Sequence, residues 1–260
     1  MKWVVKKAAV LGAGVMGAQI AAHLANARVS VVLFDLPAKE GDKNGVVKKA
    51  LDGLKRLQPS PLVSRDTLQY IDAANYEEHL ALLSGCDLII EAIAERMDWK
   101  SDLYARIAPF VTPGTVLASN TSGLSINGLA EALPAPLRPN FCGIHFFNPP
   151  RYMPLVEIIA TRDSAPAMLD GLETWLTTRL GKGVVRALDT PNFVANRIGV
   201  FSILAVMHHT AAFGLGFDTA DALTGPKIGR PRSATYRTGD VVGLDTLAHV
   251  VNTMRDTLPS

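Results

Sequence analysis

The chain has 260 residues, 48% hydrophobic and 19% charged, the proportions of a globular protein with a sizeable core rather than a disordered or fibrous one. Lys plus Arg number 26 against 24 Asp plus Glu, a net charge of +2 that gives no field to gather nucleic acid or a membrane surface. The two cysteines, Cys86 and Cys142, sit in apolar runs without metal-ligand spacing, so both read as reduced core residues of a cytoplasmic protein, and no metal site is expected.

Lys6 and Lys7 before AAVLGAGVMGAQIAA superficially match the start of a secretory signal. The stretch carries spaced glycines, lacks a polar cleavage region and is too short and weakly apolar to span a bilayer, so membrane insertion is not expected. KKAAVLGAG instead reads as a strand, about Gly17 to Asn26 as a helix and VSVVLFD as a second strand, the unit that builds a parallel sheet with a right-handed crossover. Between them Gly12, Gly14 and Gly17 follow the G-x-G-x-x-G order, which supplies a tight turn, close approach of backbone to a pyrophosphate and close helix-to-strand packing. Asp35 ends the second strand 18 residues past the last glycine, where a carboxylate bonds ribose hydroxyls and repels a 2′-phosphate, favouring NAD over NADP. Arg28 stands where the chain turns left-handed before that strand, a place glycine usually takes; arginine adopts it at about 1–2 kcal/mol.

Further strands are expected at residues 71–74 and in CDLIIEAI, TVLASN, NFCGIHF, MPLVEIIA and GKGVVRAL, with helices between most of them, DWKSDLYARIAPFV the clearest. After DTPNF the strand pattern stops, and residues 192–213 read as one long apolar helix. The expected fold is α/β: a Rossmann-like dinucleotide-binding domain with a mostly parallel sheet over residues 1–188, then a partial all-helical domain over 189–260. His145 and Glu157 lie in two apolar strands joined by a short Pro-rich connection, so they can face each other on adjacent strands. A carboxylate bonded to one imidazole nitrogen fixes the tautomer and favours the protonated form. SNTS at 119–122 ends another strand and brings Asn120 and Ser122 to the same edge, where open parallel sheets form their ligand crevice.

VLGAGVMG, EAIAERMDWK, SNTS, CGIHFFNP, MPLVEII and DTPNFVANR, in this order, resemble the successive motifs of the L-3-hydroxyacyl-CoA dehydrogenase family of fatty-acid β-oxidation. The resemblance covers nearly the whole chain and is greatest to the dehydrogenase portion of multifunctional β-oxidation proteins, in which a hydratase module shares the chain. It implies NAD as cofactor and an acyl-CoA as substrate. It also implies His145 as the base, Glu157 as the carboxylate that orients it, Ser122 as a contact to substrate and cofactor and Asn196 as an active-site asparagine. Glu95 and Lys100 match positions lining the nicotinamide ribose. Each of these has a local reading too: Ser122 as a helix N-cap before LSINGLAEAL, Asn196 as a polar residue inside a helix, Glu95 with Lys100 as a solvated pair.

This sequence departs from the family pattern at Asn192, where glycine is common. A lysine that some members place near CoA has no match around RLQPSPL, although Lys48, Lys49, Lys55 and Arg56 keep that arm basic. Members also continue beyond VGLDTLAHVV, so the helical domain is expected to be incomplete, its apolar helix to form a homodimer, and an enoyl-CoA hydratase module to follow in a longer chain. The expected activity is NAD-dependent oxidation of a 3-hydroxyacyl-CoA to the 3-ketoacyl-CoA. Its alternatives are an NAD-dependent dehydrogenase of a small hydroxy acid and a non-catalytic NAD-binding segment.

Overall fold

Strands β1 (Lys7–Leu11), β2 (Ser30–Asp35) and β3 (Ile71–Asn75) alternate with helices α1 (Val15–Asn26) and α2 (Gly45–Leu54). They are followed by β4 (Leu88–Glu91), α3 (Met97–Ile107), β5 (Val116–Ser119), α4 (Ile126–Glu131), β6 (Phe141–Phe146), β7 (Leu155–Ala160), α5 (Pro166–Leu180) and β8 (Gly183–Ala187). The structure, a computed structural model, describes residues 3–257, and the chain divides into two compact units, Met1–Asp189 and Thr190–Ser260. In the first unit β4, β5 and β6 are buried along their whole length, as strands covered by helices on both faces must be.

One eight-stranded sheet runs in the order β3-β2-β1-β4-β5-β6-β7-β8. Neighbours are parallel except β6 and β7, which are antiparallel, so the α/β Rossmann-like architecture read from the sequence is the one observed. The strand order reverses between β1 and β4, the switch point at which open α/β sheets leave a crevice beyond their strand ends. α1 buries Ile20, Ala21 and Leu24 against the sheet. It ends with Val29 N–H donating to Leu24 O at 3.2 Å and Arg28 N–H to Ala25 O at 2.8 Å, the paired bonds of a left-handed helix stop. Arg28 takes φ 61°, the left-handed conformation its position demanded.

Asp189 closes the first unit. Its carboxylate accepts from Ser125 Oγ (2.8 Å), the Ile126 and Asn127 amides (both 2.9 Å) and Asn127 Nδ2 (2.7 Å), at the start of α4. Burial pushes this carboxyl up, but the Asn127 and Ile126 amides and then the side-chain donors outweigh it and hold the group below the usual carboxylate range. Ser125 caps α4 by accepting from Gly128 N, so the cap falls there and not at Ser122.

The second unit holds helices α6 (Ala195–Ala212), α7 (Phe217–Thr224), α8 (Tyr236–Val242) and α9 (Leu244–Thr257). The helix expected from residue 192 begins only at Ala195, because Asn192 and Phe193 have φ of 59° and 51°, incompatible with a right-handed helix. Asparagine tolerates that conformation better than most residues, which accounts for its standing where glycine is common. α6 leaves Ile198 and Phe201 at 64% and 70% exposure, and its C-cap Phe213 is 72% exposed. No described helix is long and apolar enough to cross a membrane. Cys86 and Cys142 are both buried and free, and burial pushes their thiols up to about 11 and about 12.

Candidate active site

The three loop glycines divide their work as elementary sterics requires. Gly12 has φ 106°, and a Cβ on it would stand 2.7 Å from the Ala92 carbonyl oxygen. A Cβ on Gly17 would lie 1.8 Å from Gly12 O, so helix and loop could not close. Gly14, the N-cap of α1, has nothing within 4 Å of its Cβ position; it leaves open space in front of a helix start that carries no side-chain cap and no acidic residue. Such a cradle fits a pyrophosphate, since the unsatisfied amides and the helix dipole both favour an anion.

A cleft of about 500 Å³ opens from this loop across the β1–β4 switch point, lined by Gly12, Gly14, Asp35, Tyr76, Ile93 and Trp99 among others. Asp35 Oδ2 accepts from the Ala13 amide at 2.6 Å and Oδ1 from the Leu36 amide at 2.7 Å, which holds the carboxylate at the end of β2 beside the loop. Tyr76 stacks on Phe34 with ring centroids 5.9 Å apart, and its buried hydroxyl has no hydrogen-bond partner. Burial, then the charges of Asp35 and Glu91, raise this phenol well above its usual range, so it stays a neutral donor. An open cradle, a strand-end carboxylate and an orphaned hydroxyl in one cleft fit the phosphates and ribose of NAD.

Beneath the cleft lies a group that the sequence reading passed over. Glu91, at the end of β4, is fully buried and accepts four hydrogen bonds: from Lys100 Nζ (2.5 Å) and Ile93 N (2.8 Å) on Oε1, and from Tyr104 Oη (3.1 Å) and Ser119 Oγ (2.7 Å) on Oε2. Lys100 is likewise fully buried, so it is not a solvated partner of Glu95. Its ammonium lies 3.9 Å from Glu95 Oε2. Glu95 in turn accepts from Thr121 Oγ1 at 2.6 Å and from the Ser122 amide at 2.5 Å, so the network runs from β4 into the SNTS loop. The available signal was an acidic residue in the apolar run CDLIIEAI, followed at nine and thirteen residues by a lysine and a tyrosine on one face of a helix.

His145 and Glu157 are register partners across the antiparallel β6–β7 seam, and His145 Nδ1 lies 2.7 Å from Glu157 Oε2. Both are buried, and the Phe147 ring lies 4.4 Å from the imidazole, centroid to centroid. Asn120, at the end of β5, accepts from the Phe146 amide through Oδ1 at 2.9 Å, tying β5 to β6 one residue past the histidine. Ser122 follows, half-buried, with its amide on Glu95. His145, Ser122 and Asn120 do not line the glycine-loop cleft; they stand along the same sheet edge, two strands further over. Asn196 lies in the first turn of α6, half-buried, in the second unit.

The connection between β6 and β7 is clamped from several sides. Lys182 Nζ donates to Pro150 O and to Met153 O (2.8 Å), Arg151 Nη1 donates to Ser60 O (2.8 Å) and Leu62 O (2.6 Å), and Gln19 Nε2 donates to Asn148 Oδ1 (3.3 Å). Burial lowers the Lys182 ammonium below its ordinary value. Beside this clamp His23, on α1, is buried with neither ring nitrogen partnered and packs edge-on to Phe146 at 6.5 Å. Burial, then the charges of Lys182 and Arg151, push it down to about 3.

Residues 7–190 match the family described as 3-hydroxyacyl-CoA dehydrogenase, NAD binding domain. The chain belongs to this family. It is 41% identical over 267 residues to the "Probable 3-hydroxyacyl-CoA dehydrogenase" of Bacillus subtilis, matching 97% of this chain but 34% of that protein. A protein of the same description from Deinococcus radiodurans is 41% identical over 257 residues, covering 98% of this chain and 74% of the relative. Among solved structures, (S)-3-hydroxybutyryl-CoA dehydrogenase PaaH1 from Ralstonia eutropha superposes with a TM-score of 0.82 at 26% identity, over 98% of this chain and 88% of that one. The family's NAD-binding domain is thus the first unit, and this chain spans about a third of the Bacillus relative.

Proposed function

We propose that this chain oxidises the 3-hydroxyl of a 3-hydroxyacyl-CoA to the ketone, as a step of fatty-acid β-oxidation. The observation that carries the reading is the buried His145–Glu157 pair at 2.7 Å, on the sheet edge that also carries the glycine-loop cleft. Glu157 accepts from Nδ1–H, fixes the tautomer and stabilises the imidazolium, so that Nε2 takes the proton of the C3 hydroxyl. NAD, when bound, accepts the hydride from C3. Asn120 and the Glu95–Ser122 contact hold the SNTS loop beside the histidine, which supports Ser122 as the group that positions the substrate oxygen. The match of Asn196 to the asparagine of the family's ANR motif supports a polar role for it in the same chemistry. The carboxylate of Asp35 supports NAD over NADP.

A second reading, a small hydroxy acid without CoA, draws on one observation: in the arm expected to be basic, Lys48 pairs with Asp42 at 2.5 Å and Lys55 with Asp52 at 2.7 Å. Exposed Phe201 of α6 and Phe213 at its C-cap support self-association of the second unit. The test is NADH consumption with acetoacetyl-CoA beside the free 3-keto acid. Turnover of the CoA thioester at a far higher kcat/KM supports the proposal. Equal turnover of both moves the substrate class to small acids, and NAD binding without any turnover assigns a non-catalytic role.

A further inference from the structure

α3 has two working faces. Lys100, Leu103, Tyr104 and Ile107 turn inward and are buried, while Trp99, Asp102, Leu103 and Arg106, at the i, i+3, i+4 and i+7 spacing of one helical stripe, line the cleft. The Lys100–Glu91 bond fixes the first turn of this helix to the end of β4, and so fixes where Trp99 stands. Trp99 is half exposed. The Arg96 guanidinium lies over its indole at 4.6 Å from the ring centroid, and is itself held by Asp98 through Nε (3.0 Å) and Nη2 (2.5 Å). Trp99 lines the cleft, and Arg96 is not among its lining residues.

With the ribose at Asp35 and the phosphates at Gly14, the base of a bound dinucleotide falls beyond β2, toward Leu36, Ile93 and Trp99. Leu36 is 62% exposed and Ile93 is aliphatic, so the flat aromatic surface offered to a base in this part of the cleft is the indole. We infer that Trp99, backed by Arg96, is the stacking wall for the adenine of the cofactor. The inference rests on the proposed dinucleotide reading of the cleft. Adenosine diphosphate is shared by NAD and CoA. The carboxylate of Asp35 beside the ribose disfavours the phosphorylated ribose of CoA and selects NAD.

The chain has three tryptophans, and the other two, Trp3 and Trp175, form an edge-on pair at 6.1 Å that does not line the cleft. Emission that responds to ligand therefore reports on Trp99. The experiment titrates wild type, Trp99→Ala and Trp99→Phe with ADP, NAD and CoA, by calorimetry and by tryptophan fluorescence. ADP and NAD are expected to quench the wild type. Trp99→Ala should bind both about tenfold more weakly and without quenching, and Trp99→Phe should recover most of the affinity. Circular dichroism checks that each variant is folded; a misfolded Trp99→Ala leaves the quenching of wild type and the affinity of Trp99→Phe to decide. Unchanged ADP affinity in Trp99→Ala, ADP binding without quenching in wild type, or quenching by CoA in competition with ADP would overturn the inference. Wild type that binds neither ADP nor NAD would instead overturn the dinucleotide reading.

Discussion

His145–Glu157 and Glu91–Lys100 are both buried pairs of a carboxylate and a base, 2.7 Å and 2.5 Å apart, but they are built for different ends. The first joins a carboxylate to an imidazole across two neighbouring strands in register. The second joins a strand to a helix, its partner is a lysine ammonium, and three further donors converge on the carboxylate. The difference teaches that a buried charge is read by its partners: an imidazole, the side chain used most often for general acid–base work, suits chemistry, and a lysine joined by three further donors suits architecture.

Glu91 offers the largest effect on folding with which to break this contrast. Glu91→Ala leaves the buried Lys100 ammonium without its carboxylate and should cost about 3–5 kcal/mol of stability in denaturant titrations. The paired change Glu91→Leu with Lys100→Met should recover most of it. A Glu91→Ala protein as stable as wild type would show that the pair holds nothing together. On the other side, His145→Gln should lower turnover about 10²- to 10⁴-fold, with Glu157→Gln a smaller drop, while NAD binding and the denaturation midpoint stay near wild type. Loss of folding in His145→Gln would erase the distinction between the two pairs.

His23 and Asp189 sharpen the contrast through pH. His23 has no partner and is held down to about 3, so the unfolded chain takes up that proton first. Its contribution is whole above the ordinary histidine value of about 6.5 and is lost as pH falls from there toward about 3. His23→Leu should therefore lose stability less steeply than wild type across that window. Asp189 shows the opposite arrangement, a carboxylate satisfied by amides and neutral donors. Its depressed folded value makes its contribution complete above about 3.9 and lost as pH falls below that. Asp189→Asn should be less stable than wild type at neutral pH by a smaller margin than Glu91→Ala, and the gap should close on acidification. A gap that widens in acid would reverse the sign of this assignment.

The sheet was legible because apolar runs bounded by glycine and polar turns report strands directly, and the glycine loop because Gly12 and Gly17 answer steric demands along the local chain while Gly14 leaves the cradle open. The His145–Glu157 contact was also legible, since a short connection confines two strands to adjacent places. The Glu91 hub was not: its donors come from a strand neighbour and from a helix that follows a turn, and spacing alone does not show which helical face meets the strand end. Which residues α3 turns inward, Lys100 onto Glu91, and which it presents to the cleft, Trp99 among them, is likewise a matter of helical face. The long helix expected from residue 192 begins at Ala195 because the left-handed pair Asn192–Phe193 is set by backbone conformation, on which apolar periodicity is silent.

The neighbouring glycines of the loop make a genetic instrument. An added methyl at Gly17 collides with Gly12 O, whereas at Gly14 it meets no protein atom and occupies only the space in front of the helix. Gly17→Ala should behave as a null allele that lowers protein abundance, and Gly14→Ala as a separation-of-function allele: normal abundance, no dinucleotide affinity. Only the Gly14→Ala product should accumulate as folded protein, so the two alleles separate loss of the fold from loss of the cofactor.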